Sequence, residues 1–438
     1  MRIIQLTPGT GSFYCGTCVR DNALVTELRR LGHDALLVPL YLPPILDEAP
    51  ATGGAPILFG GLNAYLQQKV PLFRRTPRWV DRLFDAPGLL RAVGRRAGSG
   101  LTSARELGEM TLSTLRGEDG NQVKELERLV DWLRTDGKPD VVCLSNALLL
   151  GLVRRIREGT GARVVCTLQG EDSYLDHLPE PWGRQAWDTL AARARDVDAY
   201  VAISRYYGEL MTERARLPRE RVHVVHCGIN LEGYGDPPSL PAPPVLGYLA
   251  RLSRLKGLAT LVDAYVLLRR RGRVPDLRLR VAGTMTAGDE PFVAEMKAHL
   301  AKQGLGGDAE FFPNLDRDQK IAFLQSLTVF SVPTTYGESF GLYLLEAMAA
   351  GVPVVQPRHA AFPEVVAATG GGVLCEPDDP DSLADQLEAL LLDPARARDL
   401  GAAGRLSVLQ QFSATAMARG VLEVFGKAIG SGEQAPGR

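Results

Sequence analysis

Two glutamates, an arginine and a lysine carry the densest chemistry in this sequence. Glu338 and Glu346 stand eight residues apart within Gly337 to Pro353, GESFGLYLLEAMAAGVP. On one continuous helix that spacing separates them by about 80°, so a shared-face acid/base pair is not what it suggests. A better geometry puts Glu338 in the preceding loop, with Ser339, Phe340 and Gly341 opening a helix whose first turn holds Leu342. The first-turn N–H groups then form an anion site, and Gly341 lets a phosphate approach closely. Glu346, farther along, is placed to accept hydrogen bonds from sugar-type hydroxyls. Two helix-proximal glutamates taken alone are ordinary surface charge; the glycine, serine and small residues around them shift that balance. A second constellation is Arg251 and Lys256 in GYLARLSRLKG. Two cations in a loop before a helix suit a diphosphate, the guanidinium through bidentate contacts and the ammonium as a point charge. Arg254 between them is read as facing solvent.

The elements that must position these residues alternate. Arg2 to Thr7 is a β-branched run, Val19 to Arg30 has helical apolar spacing, and Ala35 to Val38 supplies a second strand, a β-α-β unit that implies parallel strands. Val141 to Leu144, Ala162 to Leu168, Ala199 to Ile203 and Val222 to Val225 continue as strands. Asn230 to Pro244, NLEGYGDPPSLPAPP, breaks the pattern with proline and glycine and reads as a linker. Strands then resume at Val245 to Leu249, Leu277 to Val281, Glu310 to Phe312, Val329 to Val332 and Val352 to Val355, with helices between. The fold class expected is α/β, two Rossmann-like doubly wound parallel-sheet domains facing a cleft where a ligand binds. The division is 1–229, with an insertion at about 42–138, then a linker 230–244, a second domain 245–412, and a C-terminal helix and tail 413–438, the helix free to pack back on the first domain.

Composition limits what this scaffold does. With 438 residues there is length for two large domains or about three average ones. Lys plus Arg is 50 against 51 Asp plus Glu, a net charge of -1, so no global field exists to hold nucleic acid. No apolar run approaches the roughly 18 residues of a membrane span, and the N-terminus lacks a secretory core, so a cytoplasmic location is expected. Cys143, Cys166, Cys227 and Cys375 read as small buried hydrophobes in strands. The insertion carries Arg74, Arg75, Arg78, Arg82, Arg91, Arg95 and Arg96 among Leu72, Phe73, Trp79, Leu83 and Phe84. A helical insertion resting its apolar side on the first domain is favoured over peripheral membrane contact through the basic 70–96 segment.

Taken together, Arg251 and Lys256 in ARLSRLKG followed by Glu338 and Glu346 in GESFGLYLLEAMAAGVPVV resemble the signature pair of the family 4 retaining glycosyltransferases of GT-B fold. VVHCGINLEGY from Val224 and CEPDDPDSLADQLEALLLDP from Cys375 are similar to other segments of that family, and the similarity extends over nearly the whole chain. The resemblance implies transfer of a sugar from a nucleotide-diphosphate donor to a sugar, lipid or small-molecule acceptor, with retention. It implies that Arg251 and Lys256 neutralise the leaving diphosphate, that Glu338 contacts the transferred sugar, that Glu346 binds the nucleotide ribose, and that the Phe340 to Leu342 backbone caps the phosphate. The loop PGTGSFYCGTC resembles the family's opening loop, with Gly16 at closest approach and Cys15-Gly16 where Gly-Gly is usual. CTLQGEDSYLDHLPEPW resembles a family strand that often bears a histidine where Gln169 stands. Gln169, Glu171 and Asp172 are the candidates on the acceptor and sugar side, against a reading in which the acids cap the following helix.

Competing readings lose on particular residues. A dinucleotide fingerprint needs glycine where Tyr14 stands. A redox Cys15-x-x-Cys18 pair would leave the second half unexplained, and a zinc site lacks a second ligand pair. Asp316-Arg317-Asp318 looks like a metal-diphosphate motif but precedes a helix that Asp318 would cap. No cofactor and no metal are expected. The alternative kept beside transfer is a GT-B relative that is not a transferase, either a sugar-nucleotide epimerase or a homologue that binds nucleotide sugar without turnover, motivated by Gln169.

Overall fold

The computed structural model describes residues 1–9, 16–59, 68 and 104–430. Tyr14, Cys15, the seven arginines of the basic segment and the last eight residues lie outside them. Short, mostly continuous apolar and β-branched runs give twelve strands: β1 (Arg2–Thr7), β2 (Asp34–Pro39), β3 (Val141–Leu144), β4 (Arg163–Leu168), β5 (Ala199–Ala202), β6 (Val222–Val224), β7 (Val245–Leu249), β8 (Arg278–Gly283), β9 (Ala309–Pro313), β10 (Val329–Phe330), β11 (Val354–Pro357) and β12 (Gly372–Cys375). They form two six-stranded sheets, β2-β1-β3-β4-β5-β6 and β12-β11-β10-β7-β8-β9, in which every pairing is parallel.

The chain forms two units, one of Met1–His226 with the chain from Met417 onward, the other of Cys227–Ala416. In the first, the sheet is buried on both faces, as parallel sheets are. Ile4, Leu6, Val142, Leu144, Val164 and Tyr200 point into one core layer. Their neighbours Ile3, Leu37, Val141, Val165 and Val201 point into the other, against helix Gly16–Arg30 and against Met417, Val421, Val424 and Phe425 of helix Ala414–Gly430. The excursion after β2 contributes helices Ala104–Arg116 and Val123–Trp132, whose Leu115, Leu126 and Leu129 join the first layer. Its start is stitched down by Asn22, which donates to the Ala49 carbonyl at 3.1 Å and accepts from the Ala51 N–H at 2.8 Å.

Residues 230–244, read from the sequence as a linker, fall within the second unit. Arg317 donates to the Asn230 and Glu232 carbonyls at 3.1 and 2.9 Å, and Arg405 to the Ala349 and Tyr234 carbonyls. Three local expectations need correction. Cys227 is buried but lies after β6, outside any strand, because β6 ends at Val224. Helix Arg317–Gln325 is capped by Asp316, not Asp318: the Asp316 carboxylate accepts from the Gln319 N–H while the Gln319 amide oxygen accepts from the Asp316 N–H, a reciprocal capping box. The strand read over Val329 to Val332 spans only Val329 and Phe330. Among the buried thiols, desolvation pushes Cys143 up to about 12, which leaves it inert at neutral pH.

Candidate active site

In the second sheet the strand order reverses between β7 and β10, which pair through Val329 with Leu246 and Phe330 with Gly247. Loops leaving the carboxyl ends of two such strands diverge and open a crevice. Lys256 stands in the loop after β7, in the turn Arg254–Lys256 before helix Leu258–Arg271, and Glu338 in the loop after β10 before helix Leu342–Ala349. Eighty-two residues apart in sequence, they meet at 2.6 Å between Lys256 Nζ and Glu338 Oε2. Two glycines allow the approach. Gly257 has φ +74, and a Cβ there would lie 1.7 Å from the Pro333 carbonyl oxygen. Gly341 has φ +88 at the helix N-cap, with no side chain capping the first turn; the Leu344 N–H donates to the Gly341 carbonyl at 3.0 Å, which leaves the Leu342 and Tyr343 N–H groups as the ones a ligand can use.

Glu338 is held by three side chains. Its Oε2 also accepts from the hydroxyls of Tyr336 and Tyr343, each at 3.0 Å. The Lys256 ammonium lies 5.0 Å from the Tyr336 ring centroid and 5.4 Å from that of Tyr343, within reach of cation–π attraction. Burial alone would raise the Glu338 pKa, but the ammonium and the two hydroxyls outweigh it and hold the carboxyl below its ordinary range. The Glu338 carbonyl accepts from the Ala361 N–H at 3.2 Å, where Ala360 sits at φ +52. Beside it, His359 stacks on Phe362 at 5.8 Å, and burial lowers its pKa, keeping the ring neutral at pH 7.

Arg251, also after β7, is half-exposed and faces Asp289 at 3.4 Å. Asp289 is fixed from the other side by the Thr286 N–H and hydroxyl at 2.9 and 2.6 Å. Burial would raise its pKa, yet the Thr286 donors and the Arg251 charge hold it low. Glu346 pairs with Lys320 of helix Arg317–Gln325 at 2.7 Å. Ser339 and Phe340 are buried, the Phe340 ring packing against Phe412 at 6.5 Å, so what Phe340 can offer a ligand is its backbone. Arg254 does face outward, over the Phe292 ring and against Glu295. Arg251, Lys256, Glu338, Ser339, Phe340, Gly341, Leu342 and Glu346 thus all belong to the second unit.

In the first unit, Gly16 opens helix Gly16–Arg30 and Gln169 follows β4. The Gln169 amide donates to the Ser145 carbonyl after β3 at 2.5 Å. Glu171 spends both carboxylate oxygens inside the unit: Oε1 accepts from the Ala147 N–H at 2.7 Å, and Oε2 from the Gln169 N–H at 2.8 Å and the Tyr207 hydroxyl at 2.7 Å. Burial nevertheless pushes its pKa up. Asp172 Oδ1 lies 3.0 Å from the same hydroxyl. Arg20 and Asp21 form a fully buried ion pair at 3.0 Å, with Arg20 also 3.4 Å from the Thr167 hydroxyl. Sequence reasoning missed Tyr336, Tyr343, Asp289, Lys320 and this buried pair. For the two tyrosines a signal existed, since they flank Glu338 at offsets of two and five; for the rest none did.

Two parallel α/β sheets in separate units, with a lysine and a glutamate paired at a switch point, define a protein of the GT-B class. The chain matches the family described as "Glycosyltransferase Family 4" over residues 106–232 and "Glycosyl transferases group 1" over residues 237–407. It belongs to the family 4 glycosyltransferases. A D-inositol 3-phosphate glycosyltransferase from a Nocardioides species is 26% identical over 97% of this chain and 96% of its own length. An alpha-maltose-1-phosphate synthase from Mycolicibacterium smegmatis is 31% identical over 52% of this chain, which spans 63% of that relative. Among solved structures, a sucrose-phosphate synthase from Thermosynechococcus elongatus superposes with TM-score 0.69 at 19% identity, covering 98% of this chain and 100% of its own. Anabaena HepE in complex with UDP superposes with TM-score 0.67 at 16% identity, covering 97% and 100%. No helix among the described residues is long and apolar enough to cross a membrane.

Proposed function

We propose that the protein transfers a sugar from a nucleotide-diphosphate sugar to a hydroxyl acceptor, with retention at the anomeric carbon and without a metal ion. The observation that carries the reading is the meeting of Lys256 and Glu338 at the switch point of the second sheet, with Arg251 in the same loop as Lys256. In the reaction the bond between the anomeric carbon and the diphosphate oxygen breaks while one forms to the acceptor oxygen. Negative charge grows on the leaving diphosphate, and preorganised cations stabilise it more than they stabilise the bound donor. Arg251 and Lys256 supply that charge, the open first turn at Leu342 adds N–H donors, and the acceptor proton leaves on the departing phosphate. Glu338 contacts the sugar and Glu346 the ribose. In the first unit Gly16, Gln169 and Asp172 serve the acceptor and sugar, with Glu171 holding Gln169 in place. Relatives lend support by name: a GDP-mannose-dependent phosphatidylinositol monomannoside mannosyltransferase among the similar sequences, and HepE crystallised with UDP-glucose among the similar folds.

The test is a thermal-shift panel of nucleotide sugars, since a ligand of the native state stabilises it by RT ln(1 + [L]/Kd). Transfer with the donor so found should survive EDTA, give a product of unchanged anomeric configuration, and fall about 100-fold or more in Glu338→Gln. Failure of every nucleotide sugar to shift the transition would remove the reading.

A further inference from the structure

Three donors crowd one oxygen of Glu338. Lys256 Nζ, the Tyr336 hydroxyl and the Tyr343 hydroxyl all approach Oε2, and among the described residues no donor reaches Oε1. The side chain keeps 11% of its exposure, so the carboxylate has one oxygen tied to the protein and the other left for something from outside. Tyr343 is the second residue of helix Leu342–Ala349, buried, with its ring tilted against Phe330 at 6.3 Å. A tyrosine packed that way is anchored by its ring, and its hydroxyl is a fixed donor aimed at a neighbouring loop.

We propose that Tyr343 is a positioning residue for Glu338: with Tyr336 and Lys256 it occupies Oε2, which leaves Oε1 as the acceptor for a hydroxyl of the transferred sugar. This rests on the donor reading above. A carboxylate free to rotate would offer a sugar hydroxyl either oxygen in many orientations, whereas one oxygen held by three donors presents the other in a single direction. Tyr336 shares its hydroxyl with the Lys256 ammonium, so it is Tyr343 that ties the acid to the rigid helix. The titratable groups facing Glu338 are Lys256 from the loop after β7, Tyr336 on its own loop, Tyr343 on the helix, and His359 from the loop after β11.

The experiment compares wild type, Tyr343→Phe, Glu338→Gln and the double variant as full chains. Phenylalanine keeps the ring packing and the cation–π contact and removes only the hydroxyl. Tyr343→Phe is expected to lower kcat/KM for transfer by about tenfold to a hundredfold, the range of a hydrogen bond to a charged group. The affinity for the free nucleoside diphosphate should stay within about twofold, because that ligand carries no sugar. In the Glu338→Gln background the same substitution should cost almost nothing more, since its target has lost its charge. Equal loss of nucleoside-diphosphate affinity, or full additivity with Glu338→Gln, would overturn the proposal. A readout without donor separates it from the transferase reading: losing a donor to the ionised acid raises the folded Glu338 pKa toward the unfolded one, so the melting-temperature gap between wild type and Tyr343→Phe should be full at neutral pH and close as pH falls below about 4.5. A gap that does not change with pH overturns the assignment even if transfer is confirmed; a gap that closes on acidification supports Tyr343 acting on Glu338 even if no donor is found.

Discussion

The charge state of Glu338 depends on Lys256, which makes the pair testable residue by residue. The carboxyl of Glu338 is held below its ordinary range although burial pushes the other way. A folded pKa lower than the unfolded one means that the native state gains stability above about pH 4.5 and loses it as pH falls through the folded value. Removing the cation inverts the balance. In Lys256→Met the acid stays buried with no counter-charge, so stability at pH 7 should fall by roughly 2–4 kcal/mol. With burial now dominant, the lone acid's pKa rises above the ordinary one, and acidification below neutrality should narrow the gap to wild type. Melting temperatures between pH 4 and 8 decide it: a gap that stays constant, or widens on acidification, removes the pair as the cause. The types Arg251, Lys256, Glu338 and Glu346 and their spacing were legible in the sequence. Their partners were not, because Asp289, Lys320 and Tyr343 stand at positions where an acid, a lysine or an aromatic is equally at home on a helix or loop surface. Only the fold makes Lys320 the counter-ion of Glu346.

The alternation of short continuous apolar runs with helical apolar spacing made the elements readable, the first in strands such as Val141–Leu144, buried throughout, and the second in helices such as Leu258–Arg271. Strand order was less so. β10 is two residues long, and its place beside β7 comes from the core it fills rather than from any pattern of its own. The loops joining these elements carry two backbone positions with opposite expected effects. Gly257 sits at φ +74, and a Cβ would meet the Pro333 carbonyl at 1.7 Å. Gly257→Ala should therefore cost about 3 kcal/mol or more by urea denaturation, through the left-handed conformation and through displacing the loop that carries Lys256. Ala360, at φ +52 in the loop touching Glu338, already bears the strain that glycine would relieve. An L residue there costs roughly 1–2 kcal/mol, and glycine gives back about 0.5–1 kcal/mol in chain entropy, so Ala360→Gly should stabilise by up to about 1 kcal/mol. A stabilised Gly257→Ala or a strongly destabilised Ala360→Gly would contradict these backbone assignments.

At the scale of the whole molecule, a net charge of -1 conceals a local cationic pair, and the last helix does not belong to the unit that precedes it in sequence. Met417, Ala418, Val421, Val424, Phe425 and Ala428 recur at the spacing of one helical face, a pattern visible in the chain; its partner layer, Ile3, Leu24, Val141 and Val165, more than 200 residues earlier, is visible only in the fold. Phe425 is fully buried in that layer. Phe425→Ala should cost about 3–5 kcal/mol through lost transfer energy and the cavity left behind. One residue on, a Cβ at Gly426 would meet nothing within 4 Å, and Gly426→Ala should stabilise the same helix by up to about 1 kcal/mol. The pair controls for helix propensity, since both variants place alanine in neighbouring positions with opposite signs. Hydrogen exchange then locates the loss: in Phe425→Ala the amides of β1, β3 and β4 should lose protection before those of β7, β8 and β10. Equal loss in both sheets would mean that the two units open as one cooperative block, and would deny the helix its particular role in the first.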